Sequence, residues 1–212
     1  MSLRVALSRG AGWAPSLDLL AAAGLPVEPL RGAHGRPLPP CTLDDGTTVM
    51  TVRPRDVPLY VESGVVDLGV VGKDVLLEQG RDVCELLDLR LVPGRLMFAA
   101  ARGAEARTRR LGRMRVATEY PRAAQRYFER SGRQAEIVPV YESAEMGAAT
   151  GLADGVVSLV RSGATLRASG LVEREEIARC SLRLVANRAA RALRGDGIDA
   201  LVERLRAAVE AS

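Results

Sequence analysis

The chain has 212 residues, 47% hydrophobic and 26% charged, an ordinary globular balance that permits one large or two small domains. A net charge of +4 with only 3% aromatic residues argues against a nucleic-acid binder, which would need base-stacking faces, and suits small polyanions such as nucleotides and sugar phosphates. No long apolar run is present to span a membrane, and three scattered Cys with one His make no zinc set; both facts fit a reducing cytoplasm.

The N-terminus lacks the shape of a signal peptide and runs directly into a strand at Arg4 to Leu7. A glycine turn, Ser8 to Gly12, leads to a helix over Ser16 to Ala23, which Gly24 stops. Gly32 to Pro40 reads as loop, and Asp45-Gly46 as the turn of a hairpin ending in Thr47 to Val52. Asp56 to Ser63 predicts a short helix with Pro58 in its first turn. Val65 to Val71 reads as a buried strand, followed by Lys73 and by Asp74 as cap of a helix over Val75 to Glu78. Leu86 to Val92 and Leu96 to Ala101 are two further strands.

An Arg-dense stretch follows, from Arg102 to Arg115 with only Glu105 opposed to it, and it reads as a solvated face. The α/β pattern then restarts. Val116-Ala117 is a strand, Pro121 to Arg130 a helix, and Ile137 to Val140 a strand. Ser143 to Thr150 is a helix capped by Ser143 with Met146 buried. Gly155 to Val160 is an apolar strand that turns at Ser162 into a helix near Leu166. Strands recur within Glu176 to Asn187. Ile198, Leu201, Val202, Leu205 and Val209 have helical spacing, so the C-terminus is an amphipathic helix. The pattern is two α/β lobes: residues 1–95 with 180–212, and residues 96–179. Ligands of such proteins sit in the cleft between lobes.

The segment Gly151 to Leu166 is the strongest candidate site. An apolar strand ends in small and hydroxylated residues at a helix start, where exposed N–H groups and the helix dipole favour phosphate. Gly163 lets a ligand approach the backbone, and Ser162 and Thr165 offer hydroxyls. The same pattern also fits a capped helix with nothing bound. Arg9 and Gly10 in the first turn, the cluster at Arg53, and Lys73 are further anion candidates, though local pattern alone favours reading each as ordinary turn or surface charge. With 29 Arg and one Lys, Arg is the default cation here, which lowers the information in any one of them. His34 has no second His or nucleophile nearby, and Trp13 reads as packing. Asp67, Asp74, Glu145 and Asp154 are acids that spacing does not rank.

Taken in order, several segments resemble the short form of ATP phosphoribosyltransferase over nearly the whole chain. They are Ala6 to Gly10, the long run Arg53 to Glu78, Ala117 to Pro121, Gly151 to Leu171, and Val185 to Arg188. The resemblance implies an α/β fold like the type II periplasmic binding proteins, with two lobes and a cleft. It implies transfer of the phosphoribosyl group of phosphoribosyl diphosphate to N1 of ATP, the first step of histidine biosynthesis, with Mg²⁺ as cofactor and no enzyme nucleophile. By position, Asp154, Ser158, Arg161, Ser162, Gly163, Ala164, Thr165 and Leu166 would bind phosphoribosyl diphosphate, with Asp154 facing the ribose. Arg9, Gly10, Arg36, Arg53 and Lys73 would bind ATP or phosphate. The resemblance to the short form implies that the long form's C-terminal regulatory domain is not expected here. The implied partner is therefore a histidyl-tRNA synthetase-like regulatory subunit in a hetero-octamer, with a homodimer when the chain is alone.

Three residues depart from the family pattern. Arg9 replaces the usual Lys, Ala11 a common Arg, and Ser158 a second acidic residue. They predict reduced or partner-dependent activity. They also keep open an alternative, a ligand-binding or regulatory module on the same fold with catalysis reduced.

Overall fold

The computed structural model describes residues 2–32, 39–103 and 113–211. The chain divides into two compact units, Met1–Pro93 with Ser181–Ser212, and Gly94–Cys180. Both are α/β.

The first unit holds a six-stranded sheet ordered β2-β3-β1-β4-β11-β5. Its strands are β1 (Arg4–Ser8), β2 (Cys41–Thr42), β3 (Thr48–Val52), β4 (Leu68–Gly72), β5 (Cys84–Asp88) and β11 (Leu182–Ala186). β1 lies between β3 and β4, parallel to both, with Ser8 opposite Val52 and Leu7 opposite Val70. β11 returns antiparallel between β4 and β5. Alternation assigns the faces. Val5 and Leu7 pack into one core with Trp13, Leu17, Leu201 and Leu205, whereas Ala6 packs into the other with Val57, Val61 and Val75. The first core carries α1 (Trp13–Ala22), α2 (Glu28–Arg31) and α9 (Gly195–Glu210); the second carries α3 (Val57–Glu62) and α4 (Lys73–Gln79). The α8 helix (Arg188–Leu193) is capped by Asn187, whose Oδ1 accepts from Ala190 N at 2.8 Å while its Nδ2 donates to the Val61 and Glu62 carbonyls.

The amphipathic C-terminal helix is as expected: Ile198, Leu201, Val202, Leu205 and Val209 are all buried. The Asp45-Gly46 turn joins antiparallel β2 and β3, with Gly46 at φ 83°. Other boundaries differ from the sequence reading. Val65 is 47% exposed and β4 begins only at Leu68. The α4 helix starts at Lys73 with Gly72 as cap, so Asp74 lies inside the first turn. β5 ends at Asp88, beyond which Arg90 (φ 54°) and Val92 (φ 50°) break the extended backbone.

Asp67, 1% exposed, fastens this unit. Its carboxylate accepts from Arg4 N at 2.8 Å, Arg4 Nη2 at 2.9 Å and Arg194 Nη1 at 2.7 Å. Burial pushes its pKa up, but the Arg4 hydrogen bonds and the charges of Arg4 and Arg194 outweigh burial and hold it below the usual carboxylate value.

The second unit holds a five-stranded sheet ordered β10-β6-β9-β7-β8. These are β6 (Gly94–Ala101), β7 (Met114–Thr118), β8 (Ala135–Pro139), β9 (Gly155–Val160) and β10 (Leu171–Cys180). β9 is parallel to β7, and β7 to β8; β6 is antiparallel to both β9 and β10. Its helices are α5 (Pro121–Arg130), α6 (Ala144–Ala149) and α7 (Ala164–Ala168). Met146, expected in the core, is 58% exposed. The α6 helix instead buries Ala144 and Gly147, and Ser143, at φ 55°, makes no side-chain cap bond. Nor is Arg115 a solvated charge, since it pairs with Asp154. Arg107, Arg109 and Arg110 lie outside the described residues, as does His34.

Candidate functional site

Parallel strands deliver their carboxyl ends to a common edge, where α/β proteins bind ligands. In the second unit β7 and β9 do so side by side. Thr118 closes β7 and is fully buried. Its Oγ1 donates to the Val157 carbonyl on β9 at 2.7 Å and accepts from Tyr120 N at 2.9 Å. This one hydroxyl ties the end of β7 to β9 and sets the turn that carries Glu119 and Tyr120. A pocket of about 370 Å³ opens there, lined by Glu119, Tyr120, Glu145, and residues 158 to 166. Its size suits a sugar phosphate or nucleotide. It is built wholly from second-unit residues.

One wall is the turn from β9 into α7. Gly163 adopts φ 70°, a left-handed conformation that glycine enters without the penalty of a Cβ. A Cβ there would stand 2.6 Å from Glu173 Oε1 and 2.9 Å from Arg167 Nη1. Ser162, Ala164 and Thr165 are exposed and Leu166 is anchored in the core. Arg167 Nη2 donates to the Ser162 carbonyl at 3.1 Å, and Ser162 Oγ accepts from Ala164 N at 3.4 Å. The first N–H groups of a helix have no intrahelical acceptor, so this turn offers donors to an anion.

The opposite wall carries a carboxylate. Glu145, in the first turn of α6, accepts from Ser158 Oγ on β9 at 2.9 Å. Sequence spacing did not distinguish Glu145 from the other acids; only the packing of α6 over β7 and β9 brings it to the pocket. Among the described residues, no three His, Cys, Asp or Glu side chains gather where they could hold a metal. The pocket's own carboxylates are Glu119 and Glu145. That donor set does not fit a resident metal ion, and suits one that arrives chelated by a substrate's phosphates.

Ser158, Arg161, Ser162, Gly163, Ala164, Thr165 and Leu166 thus lie together. Asp154 does not join them. It precedes β9 at the other end of the strand, about 13 Å from Ser158 at the rise of an extended chain. Its carboxylate, buried to 3% side-chain exposure, accepts from Arg115 N at 2.9 Å and pairs with the Arg115 guanidinium. Asp154 is thus paired with Arg115 and stands apart from the pocket lining, where the resemblance had it facing the ribose.

In the first unit, the order β3-β1-β4 places three cations at the carboxyl ends of adjacent parallel strands. Arg9 follows β1, Arg53 follows β3 and Lys73 follows β4, with Gly10 (φ 92°) beside Arg9. Arg53 is exposed, and Arg9 Nε is buried with no hydrogen-bond partner. Lys73 Nζ is engaged by Glu85 at 2.5 Å, so it is a less available phosphate ligand than its position suggests. Arg36 lies outside the described residues.

The chain is similar over nearly its whole length to proteins of one family. The family model described as HisG, ATP phosphoribosyltransferase, matches residues 53–207. A protein of Ectopseudomonas mendocina named ATP phosphoribosyltransferase is 44% identical over 211 residues, 99% of this chain and 98% of that one. Its namesake from Deinococcus deserti is 43% identical over 98% of this chain and 93% of its own. The solved structure of the ATP phosphoribosyl transferase (HisG:HisZ) complex from Thermotoga maritima superposes with a TM-score of 0.80 at 26% identity, covering 99% of this chain and 100% of that one.

Proposed function

The chain belongs to the ATP phosphoribosyltransferase family, and we propose how the residues of its pocket carry out that reaction. The two-sheet α/β architecture is the two-lobe fold of the family, like that of the type II periplasmic binding proteins. The enzyme transfers the phosphoribosyl group of phosphoribosyl diphosphate to ATP, the first step of histidine biosynthesis.

In our reading, the lone pair of adenine N1 forms the new bond to the anomeric carbon while the bond to diphosphate breaks and diphosphate leaves with its electron pair. No protein nucleophile is required. The protein's contribution is alignment of two polyanions and stabilisation of the leaving charge. The turn Ser162 to Thr165 holds the 5-phosphate through backbone N–H groups and the hydroxyls of Ser162 and Thr165. Glu145 accepts hydrogen bonds from ribose hydroxyls. Arg161, exposed on the pocket wall, faces the diphosphate. Arg9, Gly10 and Arg53 bind phosphates of ATP, with Lys73 contributing once released from Glu85. Mg²⁺ would come bound to the phosphates of phosphoribosyl diphosphate rather than be held by Glu119 or Glu145, and would supply partial neutralisation of their charge.

The observation that carries this reading is the convergence of the glycine turn and the Glu145 carboxylate on one pocket at the ends of two parallel strands. No observation favours the alternative of a binding module with catalysis reduced. The Thermotoga HisG:HisZ complex supports a HisZ regulatory partner, and we extend this to a histidyl-tRNA synthetase-like subunit in a hetero-octamer, with a homodimer as the chain's own state. No helix among the described residues is long and apolar enough to cross a membrane, and we place the protein in the cytoplasm.

The test is to mix the purified chain with ATP, phosphoribosyl diphosphate and Mg²⁺, with and without the partner, and to measure phosphoribosyl-ATP. Product in either mixture is expected, with more when the partner is present. A folded chain that forms none in both would overturn the reading.

A further inference from the structure

Ser158 is a polar interruption of an apolar strand face. Side chains alternate along a strand, so Val156, Ser158 and Val160 share a face. Val156 and Val160 are buried there with Ala144 of α6 and Leu166 of α7. Ser158 itself is only half-buried, at the point where this face opens into the pocket. Its bond to Glu145 Oε1 at 2.9 Å fixes the carboxylate at the pocket wall. Glu145 sits in the first turn of a six-residue helix whose cap, Ser143, contributes no side-chain bond, so local structure alone does little to orient it.

We propose that Ser158 is a positioning residue: its hydroxyl holds the Glu145 carboxylate in one orientation, in which it meets the ribose hydroxyls. The inference rests on the reading of the pocket as the phosphoribosyl diphosphate site. It has an electrostatic consequence. An acid at 158 would stand within reach of Glu145, and two like charges so close disfavour each other unless a cation lies nearby. Serine leaves Glu145 without that neighbouring charge, so less of a cation's charge is needed to screen this wall against a polyanionic substrate.

Calorimetric titration of phosphoribosyl diphosphate into the full chain, across a range of Mg²⁺ concentrations, tests this together with the KM for each substrate. Ser158→Ala should weaken phosphoribosyl diphosphate binding about tenfold (about 1.4 kcal/mol) and raise its KM, leaving the KM for ATP unchanged. Ser158→Thr, which keeps the hydroxyl, should bind within about twofold of the parent. Ser158→Asp should bind weakly at low Mg²⁺ and recover more steeply than the parent as Mg²⁺ rises. Equal binding by the parent and Ser158→Ala overturns the proposal, as does a loss in Ser158→Ala that affects both substrates alike and is not rescued by Thr. A Ser158→Asp protein with the parent's Mg²⁺ dependence overturns the electrostatic part. A parent chain that neither binds phosphoribosyl diphosphate nor forms product removes the functional reading and this proposal with it; an active parent with an indifferent Ser158→Ala removes this proposal alone.

Discussion

Gly147 of α6 lies against Ala117 of β7 so closely that a Cβ added to the glycine would stand 2.9 Å from the alanine side chain. Real Cβ atoms do not approach so near, and an alanine methyl has no flexible end to move away. The α6 helix therefore reaches its depth over the sheet only because residue 147 has no side chain. That depth brings Glu145, two residues earlier, to Ser158.

Gly147→Ala should accordingly lift α6 from the sheet. The expected cost is about 1–3 kcal/mol of stability, the range for overpacking a tight contact. Binding of phosphoribosyl diphosphate should weaken along with it, as Glu145 moves. Denaturant unfolding and calorimetry report the two effects. A variant with the parent's stability and affinity would mean that α6 tolerates the displacement.

Thr118→Val keeps the buried shape but removes the hydroxyl that bonds both Val157 and Tyr120. About 1–3 kcal/mol of stability should be lost, the cost of leaving buried polar groups unpaired. Because the same hydroxyl sets the turn bearing Glu119 and Tyr120, the KM for phosphoribosyl diphosphate should rise. Measured KM and thermal midpoint should move together; an unchanged KM would show that the turn holds its shape without Thr118.

Asp154→Asn separates the structural role from the substrate role. Its carboxylate is committed to Arg115, so the variant should lose about 1–3 kcal/mol of stability, the scale for impairing a buried hydrogen-bonded charge. The KM for phosphoribosyl diphosphate should stay within about twofold of the parent. A large rise in KM with unchanged stability would return Asp154 to the substrate site.

Asp67 sets an acid limit on the first unit. Its folded pKa is held below the unfolded value of about 3.9. The stabilisation is therefore fully present above that unfolded value and is lost as pH falls through the folded one. Asp67→Asn should cost about 3 kcal/mol at neutral pH, because Arg4 and Arg194 lose their common partner. Urea unfolding at neutral and acidic pH should show the gap between parent and variant narrowing in acid. A gap that stays constant with pH would assign the loss to packing rather than charge.

Much of the fold was legible locally. The spacing Ile198, Leu201, Val202, Leu205 marked a helix that is indeed buried on that face, and Asp45-Gly46 marked the hairpin turn. The turn at Ser162 to Thr165 was legible for a similar reason: a left-handed glycine and a helix start leave a compositional trace over a few residues. Met146 was misread because hydrophobicity states a preference and not an outcome. The short α6 helix presents Ala144 and Gly147 to the sheet instead, where a larger side chain could not fit. Asp154 is near the glycine turn in sequence, yet the direction of β9 carries it to the other end of the strand, which spacing alone does not reveal.

The sequence by itself determined most strands and helices to within a few residues, the buried face of the C-terminal helix, and the glycine turn between β9 and α7. These follow from periodicity and backbone sterics, which act within a few residues. Only the tertiary structure decided that Arg9, Arg53 and Lys73 share one sheet edge, that Glu145 meets Ser158, and that Arg115 consumes Asp154. Those relations depend on strand order, register and the depth at which a helix packs. They are set by contacts between segments distant in sequence, and no local pattern encodes which neighbour, or which end of it, a side chain will meet.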